Sequence, residues 1–495
     1  MSNWNLKWIW TGLLVIVLGG LSGCHSLEPD DDFSASLSVD TCSSSDEWNA
    51  VWKSDILEPG RYYEASIPYR ISELEPNAYL YSVVVPDDDP AGTLASVRWR
   101  SDHLKTQTLT FFLPEDAVDC RVVIGMRNHG KAALGDVSIQ ELPPMDLSAV
   151  KTVSEPDYEP YGMCTHFTRW TIWGPEAGFT DEQVKESLRR LGEAGVQWIR
   201  VDAFWVIVEE KEGIYDEILL TRIDNIISWA AENGIKVYLH LGGQPQWAST
   251  HPDEPDYWAY GTDRIAEFKD YVRYVTQRYK GRVQYWEVGN EVDWVFWKDP
   301  LADYVDYLKT ASDIIRNADP ENQVILASLA FDGTHVWEPQ AGAEEDALRR
   351  LYEMGIQPCF DVMGMHFYPL QQHNGLYESV SAINQVVKVM EEFSDGDKPI
   401  WLTESGYSSE KTPDGDLVKQ ADYLNLLYTE IIAHPKVEKI FWYNFRCKHD
   451  EGEYENNFGV VNNDFSERPA FSVFKKLEKV RLRPVNRTFL PECSK

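Results

Sequence analysis

Between residues 161 and 480 the chain alternates short, almost wholly apolar runs with longer amphipathic ones, and it does so eight times. The strand-like runs fall at 162–167, 198–203, 236–241, 283–291, 324–329, 360–367, 400–404 and 440–445. Helical periodicity fills the intervals at 180–195, 219–233, 262–280, 301–318, 344–354, 380–393, 417–434 and 470–480. Continuous apolar strands are buried on both faces, and such strands separated by helices make a parallel sheet. Eight units in roughly 320 residues suit a closed (β/α)8 barrel. An open doubly wound sheet is the competitor, but no glycine-rich phosphate loop follows any of these strands. Thr180-Asp181-Glu182-Gln183 opens its helix as a capping box, and Gly195 and Gly234 stand where helices stop.

The 495 residues exceed this barrel, and the remainder lies in front of it. Lys7, an apolar run over 12–21 and small residues before Cys24 read as an export segment, too short to span a bilayer comfortably. Leu21-Ser22-Gly23-Cys24 resembles a bacterial lipobox, which implies cleavage before Cys24 and lipid on its sulfur. The bacterial cell envelope is then the expected location. His25 and Ser26 follow Cys24 with no Asp for inner-membrane retention, which favours an outer-membrane anchor. Of seven cysteines, six remain for an oxidising compartment; Cys42 and Cys120 could pair, while Cys164, Cys359, Cys447 and Cys493 show neither a pairing nor a metal spacing.

The expected organisation is a signal peptide at 1–23, a Ser/Asp-rich tether at 24–46, a small all-β sandwich at 47–148, the barrel at 155–485 and a tail at 486–495. Runs at 97–100, 108–113, 121–126 and 136–139 supply the sandwich strands, and the last resembles the closing strand of jelly-roll carbohydrate-binding modules. A net charge of −34 argues against nucleic acid or anionic lipid as the main partner, and makes a strongly acidic polysaccharide an awkward substrate. The 19 Trp provide apolar faces of the kind that stack on sugar rings.

Chemistry in such a barrel sits at the C-terminal ends of the strands. Trp286-Glu287-Val288-Gly289-Asn290-Glu291 closes the fourth strand and Trp401-Leu402-Thr403-Glu404-Ser405-Gly406 the seventh. Two carboxylates carried into one mouth on rigid supports are the minimum for glycosidic hydrolysis, one protonated and one ionised.

These two runs resemble the signatures of retaining glycoside hydrolases of clan A, over residues 161 to about 477. The resemblance implies that Glu291 is the acid/base and Glu404 the nucleophile. It implies that Arg200 supports the nucleophile, that Asn290 binds the sugar 2-hydroxyl, and that His366 and Tyr368 form the strand-six pair with the Tyr hydroxyl on the nucleophile. Trp442 is matched to the tryptophan under the −1 sugar, and His240 and Trp247 to further substrate contacts at the mouth. Glu287 reads as a buried partner of Arg200, Glu209 and Glu210 as loop structure or distal sugar contacts. Phe204-Trp205 and His366-x-Tyr368 are most similar to family 39, whereas Gly289-Asn290-Glu291-Val292 is as in parts of families 5 and 51. The expectation is a monomeric retaining β-glycosidase acting on a polysaccharide or oligosaccharide, with no cofactor and no metal. An exo-acting β-xylosidase or arabinofuranosidase and a non-catalytic glycan-binding lipoprotein are the alternatives.

Overall fold

The computed structural model describes residues 35–39, 48–75, 78–86, 95–99, 106–113, 115, 117–127, 130–142, 151–154, 158–168, 178–330, 347–369, 375–409, 415–448, 456–477 and 482–485. They divide into two compact units, one ending with the strand at Leu142 and one holding everything described from Lys151 onward. The signal segment, Cys24, Cys42, Cys493 and the C-terminal tail lie outside the described residues.

The first unit is all β. Its strands are β1 (Ala35–Val39), β2 (Trp48–Lys53), β3 (Tyr62–Leu74), β4 (Tyr79–Pro86), β5 (Ala95–Trp99), β6 (Thr106–Phe112), β7 (Cys120–Arg127), β8 (Gly130–Leu134) and β9 (Ser138–Leu142). They form two antiparallel sheets, β1-β8-β3-β6 with β9 also on β3, and β2-β7-β4-β5. One core cluster takes Tyr63, Ala65, Ile67 and Tyr69 from β3 and Leu80, Val84, Val122 and Ile124 from the other sheet. This strict alternation on β3 is what a half-buried strand requires. The stretch read as a tether contains β1, which pairs with β8 along its whole length.

β3 carries Pro68, which argues against a central strand in a sequence reading. The structure places Pro68 where one edge of β3 changes partner: Tyr62–Ser66 pairs with β9 and pairing with β8 begins at Tyr69, while β6 on the other edge ends opposite Pro68. A missing N–H costs little at such a switch.

In the second unit β10 (Lys151–Ser154) pairs antiparallel with β19 (Leu482–Val485), tying the chain entering the unit to the chain leaving it. Between them run β11 (Tyr161–Cys164), β12 (Trp198–Asp202), β13 (Lys236–Leu241), β14 (Tyr285–Asn290), β15 (Gln323–Ser328), β16 (Met363–Phe367), β17 (Ile400–Ser405) and β18 (Val437–Trp442). They are all parallel, in the order β15-β14-β13-β12-β11-β18-β17-β16. Parallel bridges from Ile325 to Val362 and from Leu329 to Met365 join β15 to β16 and close the ring. The helices outside are α1 (Asp181–Glu193), α3 (Glu217–Glu232), α4 (Ile265–Arg278), α5 (Leu301–Ala318), α6 (Ala347–Glu353), α7 (Gly375–Glu392), α8 (Gly415–Thr429) and α9 (Pro469–Lys476). An additional one-turn helix, α2 (Trp205–Val208), follows β12 and buries Trp205 completely. Thr180 and Gln183 exchange the two hydrogen bonds of the capping box, at 3.2 and 2.8 Å.

Strand parity sorts the side chains. On β12, Ile199 and Val201 join the large cluster between sheet and helices, while Trp198 joins a separate one with Tyr238, Ile325, Val362, Trp401 and Phe441. This second cluster fills the lumen at the strand starts, with Trp198 and Trp401 rings 5.6 Å apart and Tyr238 5.0 Å from Phe441. The barrel is plugged at that end, so only the other can receive a ligand.

The four cysteines among the described residues, Cys120, Cys164, Cys359 and Cys447, are all buried, and Cys120, Cys164 and Cys359 are free thiols. Cys120, which the sequence leaves able to pair with Cys42, packs as a small apolar group in the sandwich core.

His434, just before β18, is buried and satisfied as a neutral ring. Its Nδ1 accepts from the Lys436 N–H at 3.2 Å, and its Nε2–H donates to Asn384 Oδ1 at 3.1 Å. Burial, with Lys436 adding to it, holds its pKa down to about 3. The unfolded value is about 6.5, so this neutral ring stabilises the fold fully above pH 6.5 and loses that contribution as pH falls toward 3. Urea unfolding of the barrel should weaken across that window by up to about 1.4 kcal/mol per pH unit from this group alone. His434→Gln should be less stable at pH 7 and show a flatter pH profile; an unchanged profile would contradict the assignment.

Candidate active site

The open end of the barrel collects Arg200 and Asp202 from β12, His240 from β13, Asn290 from β14, His366 from β16 and Glu404 from β17, with Glu291 just past β14 and Tyr368 just past β16. Arg200, 2% exposed, is the hub. Its Nε donates to Glu287 Oε2 at 2.7 Å, one terminal nitrogen donates to Glu404 Oε1, and the other to Asn290 Oδ1 at 2.9 Å. Ser328 Oγ donates to the second Glu287 oxygen at 2.6 Å and also meets Thr403 Oγ1. Burial opposes both charges. Even so, Glu287 holds the guanidinium pKa well above its ordinary value, and Arg200 keeps Glu287 below the usual carboxylate range. The deep position expected for Glu287 is confirmed by its complete burial.

Glu404 is held from two sides, since the Tyr368 hydroxyl donates to Oε2 at 2.7 Å while Arg200 occupies Oε1. Burial and the Glu404 charge push the Tyr368 phenol far above its ordinary pKa, so it remains a donor. His366 Nδ1 lies 2.7 Å from Glu291 Oε1 and 3.7 Å from Glu404 Oε2. Ligand atoms of Glu291, His366 and Glu404 all lie within 4.8 Å of one another. The first pairing needs a single proton, held by the carboxyl or by the imidazole.

Adjacent residues of a regular strand face opposite ways, yet Asn290 and Glu291 both reach the lumen. Gly289 makes this possible with φ +87°, and Glu291 follows at φ +40°. A side chain on Gly289 would come within 3.0 Å of Tyr304 and 3.2 Å of Ala327. Glycine at position 289 is therefore required by the backbone. A second irregularity, a register shift between Met365 and His366, sets His366 beside Glu404.

Two expectations change. Trp442 is fully buried in the layer between sheet and helices, its N–H donating to the Phe458 carbonyl at 3.1 Å. Phe441 points into the lumen, so Trp442 points out and cannot lie under a sugar. The next inward position, Tyr443, packs on the lumen cluster and sets its ring 6.0 Å from Tyr368. Counting parity along 441–443 would have found it. His240 is likewise fully buried, its Nε2 on the Gly289 carbonyl at 3.0 Å, so it holds backbone rather than ligand. Trp247 is half-buried on a rim turn, its indole N–H donating to the Glu209 carbonyl at 3.1 Å. Glu209 accepts from Trp205 at 2.8 Å and from the Gly213 N–H at 2.7 Å, which makes it loop structure. Trp297 is buried packing, and Trp170 and Trp173 lie outside the described residues. Asp202 and Ser328 escaped the sequence reading because neither stands in a motif.

Residues 152–446 match the family model described as Cellulase (glycosyl hydrolase family 5). Among curated proteins, the chain is 27% identical over 161 residues to a probable glucan 1,3-beta-glucosidase A of Aspergillus fumigatus, covering 31% of this chain and 38% of that protein. It is 26% identical over 135 residues to endo-1,4-beta-xylanase C of Paenibacillus barcinonensis, covering 23% and 12%. The chain thus spans well under half the length of these curated relatives. Among solved structures, a family 39 glycoside hydrolase of Bacteroides cellulosilyticus WH2 superposes with TM-score 0.50 at 19% identity, covering 83% of this chain and 81% of that one. A monomeric beta-xylosidase of Caulobacter crescentus CB15 gives 0.51 at 17%, covering 69% and 73%. At these identities the structural likeness concerns the fold.

Gly289→Ala should lower barrel stability by at least about 1–2 kcal/mol, the cost of a left-handed backbone for a residue with a side chain. Denaturant unfolding against the parent measures it, and a neutral result would mean that the turn can relax without its glycine.

Proposed function

Because the chain belongs to glycosyl hydrolase family 5, we propose that it is a retaining β-glycosidase with Glu404 as nucleophile and Glu291 as acid/base. The observation that carries this reading is the spacing of the two carboxyl groups, whose ligand atoms lie within 4.8 Å. Retention needs about 5–5.5 Å between carboxyl groups, whereas inversion needs about 6.5–9.5 Å to admit a water.

Glu404 attacks the anomeric carbon while Glu291 passes its proton to the departing oxygen, leaving a glycosyl ester on Glu404. Glu291, now ionised, takes a proton from water, which displaces the ester and restores both groups. Arg200 and Tyr368 hold Glu404 ionised and aimed, through one bond to each oxygen. The His366 imidazole, 2.7 Å from Glu291, keeps that carboxyl in place through both protonation states. Asn290 spends its oxygen on Arg200, which leaves its NH2 to donate to a sugar hydroxyl. Tyr443 gives the sugar an aromatic wall.

The substrate is a β-linked polysaccharide or oligosaccharide; the curated relatives named for β-1,3-glucan and β-1,4-xylan support the β linkage. The protein acts as a monomer anchored by lipid on Cys24 to the bacterial outer membrane. Glu291, Glu404, Arg200 and Asn290 as a full set have no use in a protein that only captures glycan.

Aryl β-glycoside turnover should be abolished in Glu404→Gln, and full activity there would make the nucleophile assignment wrong. Glu291→Gln should lose about 10²–10⁴-fold on substrates with poor leaving groups and far less on activated ones. The first-formed sugar, followed by NMR, should keep the β configuration. Cys24→Ser should move the protein from the detergent phase to the aqueous phase on partitioning, and an unchanged distribution would rule out the lipid anchor.

A further inference from the structure

With Trp401 in the lumen, regular alternation along β17 would put Thr403 inward and Glu404 outward. In the structure both face the lumen, where Thr403 Oγ1 meets Ser328 Oγ and Glu404 meets Arg200. The outward positions are Leu402, in the cluster under the helices, and Ser405, whose Oγ lies 2.9 Å from the Tyr423 hydroxyl on α8. The strand register shows how this arises. On one side Leu402 is matched to Met365 and Glu404 to His366; on the other Leu402 is matched to Ile440 and Ser405 to Trp442. Thr403 is the one residue of β17 matched to neither neighbour. It is the extra residue of a bulge, a feature that re-aims the side chain beside it.

A bulge disrupts the ladder locally, and a buried carbonyl released from it needs another donor. Cys164, the last residue of β11 and 1% exposed, reaches it from two strands away, its Sγ 3.1 Å from the Thr403 carbonyl oxygen. That oxygen can only accept, so the sulfur carries the hydrogen. Burial, followed by the charge of Glu404, pushes the thiol well up from its ordinary pKa, which keeps the hydrogen in place. The residue before Glu404 is thereby anchored twice, by its hydroxyl at Ser328 and by its carbonyl at Cys164.

We propose that Cys164 is a positioning residue, whose thiol donates to the Thr403 carbonyl and so fixes the β17 bulge that aims Glu404 into the lumen. The consequence for turnover rests on the glycosidase reading, whereas the bond and its hold on the bulge do not.

Infrared difference spectra of the full protein, parent minus Cys164→Ser, isolate the Cys164 S–H stretch in a window that other protein groups leave empty. The band should lie below the frequency of an unbonded thiol; a band at the unbonded frequency overturns the proposal whether or not the protein turns over a glycoside. Amide hydrogen exchange over 400–405 should be faster in Cys164→Ala than in the parent, and close to the parent in Cys164→Ser, whose hydroxyl still donates. On aryl β-glycosides Cys164→Ala should lose about 10-fold in kcat with little change in KM, short of the roughly 10²-fold that a 1 Å misplacement can cost. Cys164→Ser should recover most of that loss. Both variants remove the sulfur, so equal losses in the two mean that Cys164 only fills space, and an Ala variant with parental exchange and kcat means that the bulge holds without it; either result overturns the proposal. A parent that turns over no glycoside sinks the glycosidase reading, and the S–H band and the exchange rates then decide the positioning role alone. If Cys164→Ala does not fold, the S–H band and a near-parental kcat in Cys164→Ser still decide.

Discussion

The buried guanidinium of Arg200 organises the whole open end of the barrel. It joins three strands by touching Glu287 and Asn290 on β14 and Glu404 on β17, from a position on β12. A charge so placed is tolerable only because its partners are themselves fixed: Ser328 holds Glu287, and Tyr368 holds Glu404. Removing one partner of a buried pair strands the other charge, at a cost of about 3–5 kcal/mol. The same contacts that keep Arg200 in the interior hold the Glu404 carboxyl at the rim, so stability and the placement of that group draw on one set of bonds.

The two carboxyl groups meet because the strands are locally irregular. An ideal β14 would send Asn290 and Glu291 to opposite sides; the left-handed turn at Gly289 and Glu291 brings both to the lumen. The register shift at His366 does the corresponding work on β16. Around these departures the fold is regular and over-packed with aromatics, from the Trp198–Trp401 plug below to the Trp205–Tyr271 stack beneath the rim. Rigid surroundings of this kind are what allow strained residues such as Glu291 to persist.

The barrel was legible because its elements follow from local patterns. All eight strand runs and all eight helical runs of the sequence reading reappear with ends shifted by a few residues. The sandwich was read less completely. β3 lay outside the runs read as strands, and it carries Pro68, harmless where one edge of the strand changes partner; β1 was hidden by a polar composition that a sheet edge tolerates. Trp442 shows the limit of reading by resemblance, since a tryptophan at the expected ordinal position faces the helices and its neighbour Tyr443 faces the site. Asp202 shows another limit, because its meaning lies in contacts with His166 and His240, 36 and 38 residues away.

Periodicity was enough to give the parallel (β/α)8 architecture, and the two Glu-bearing strand ends singled out Glu291 and Glu404, whose carboxyl groups the structure brings together at the open end of the barrel. These follow from near-neighbour physics: side-chain alternation, helix capping and the burial of apolar runs. The distance between the carboxyls, the choice of Tyr443 over Trp442 and the free state of Cys120 were decided only by tertiary structure. Each depends on how segments far apart in sequence come into register, and a single bulge or glycine turn changes which side of a strand faces the ligand.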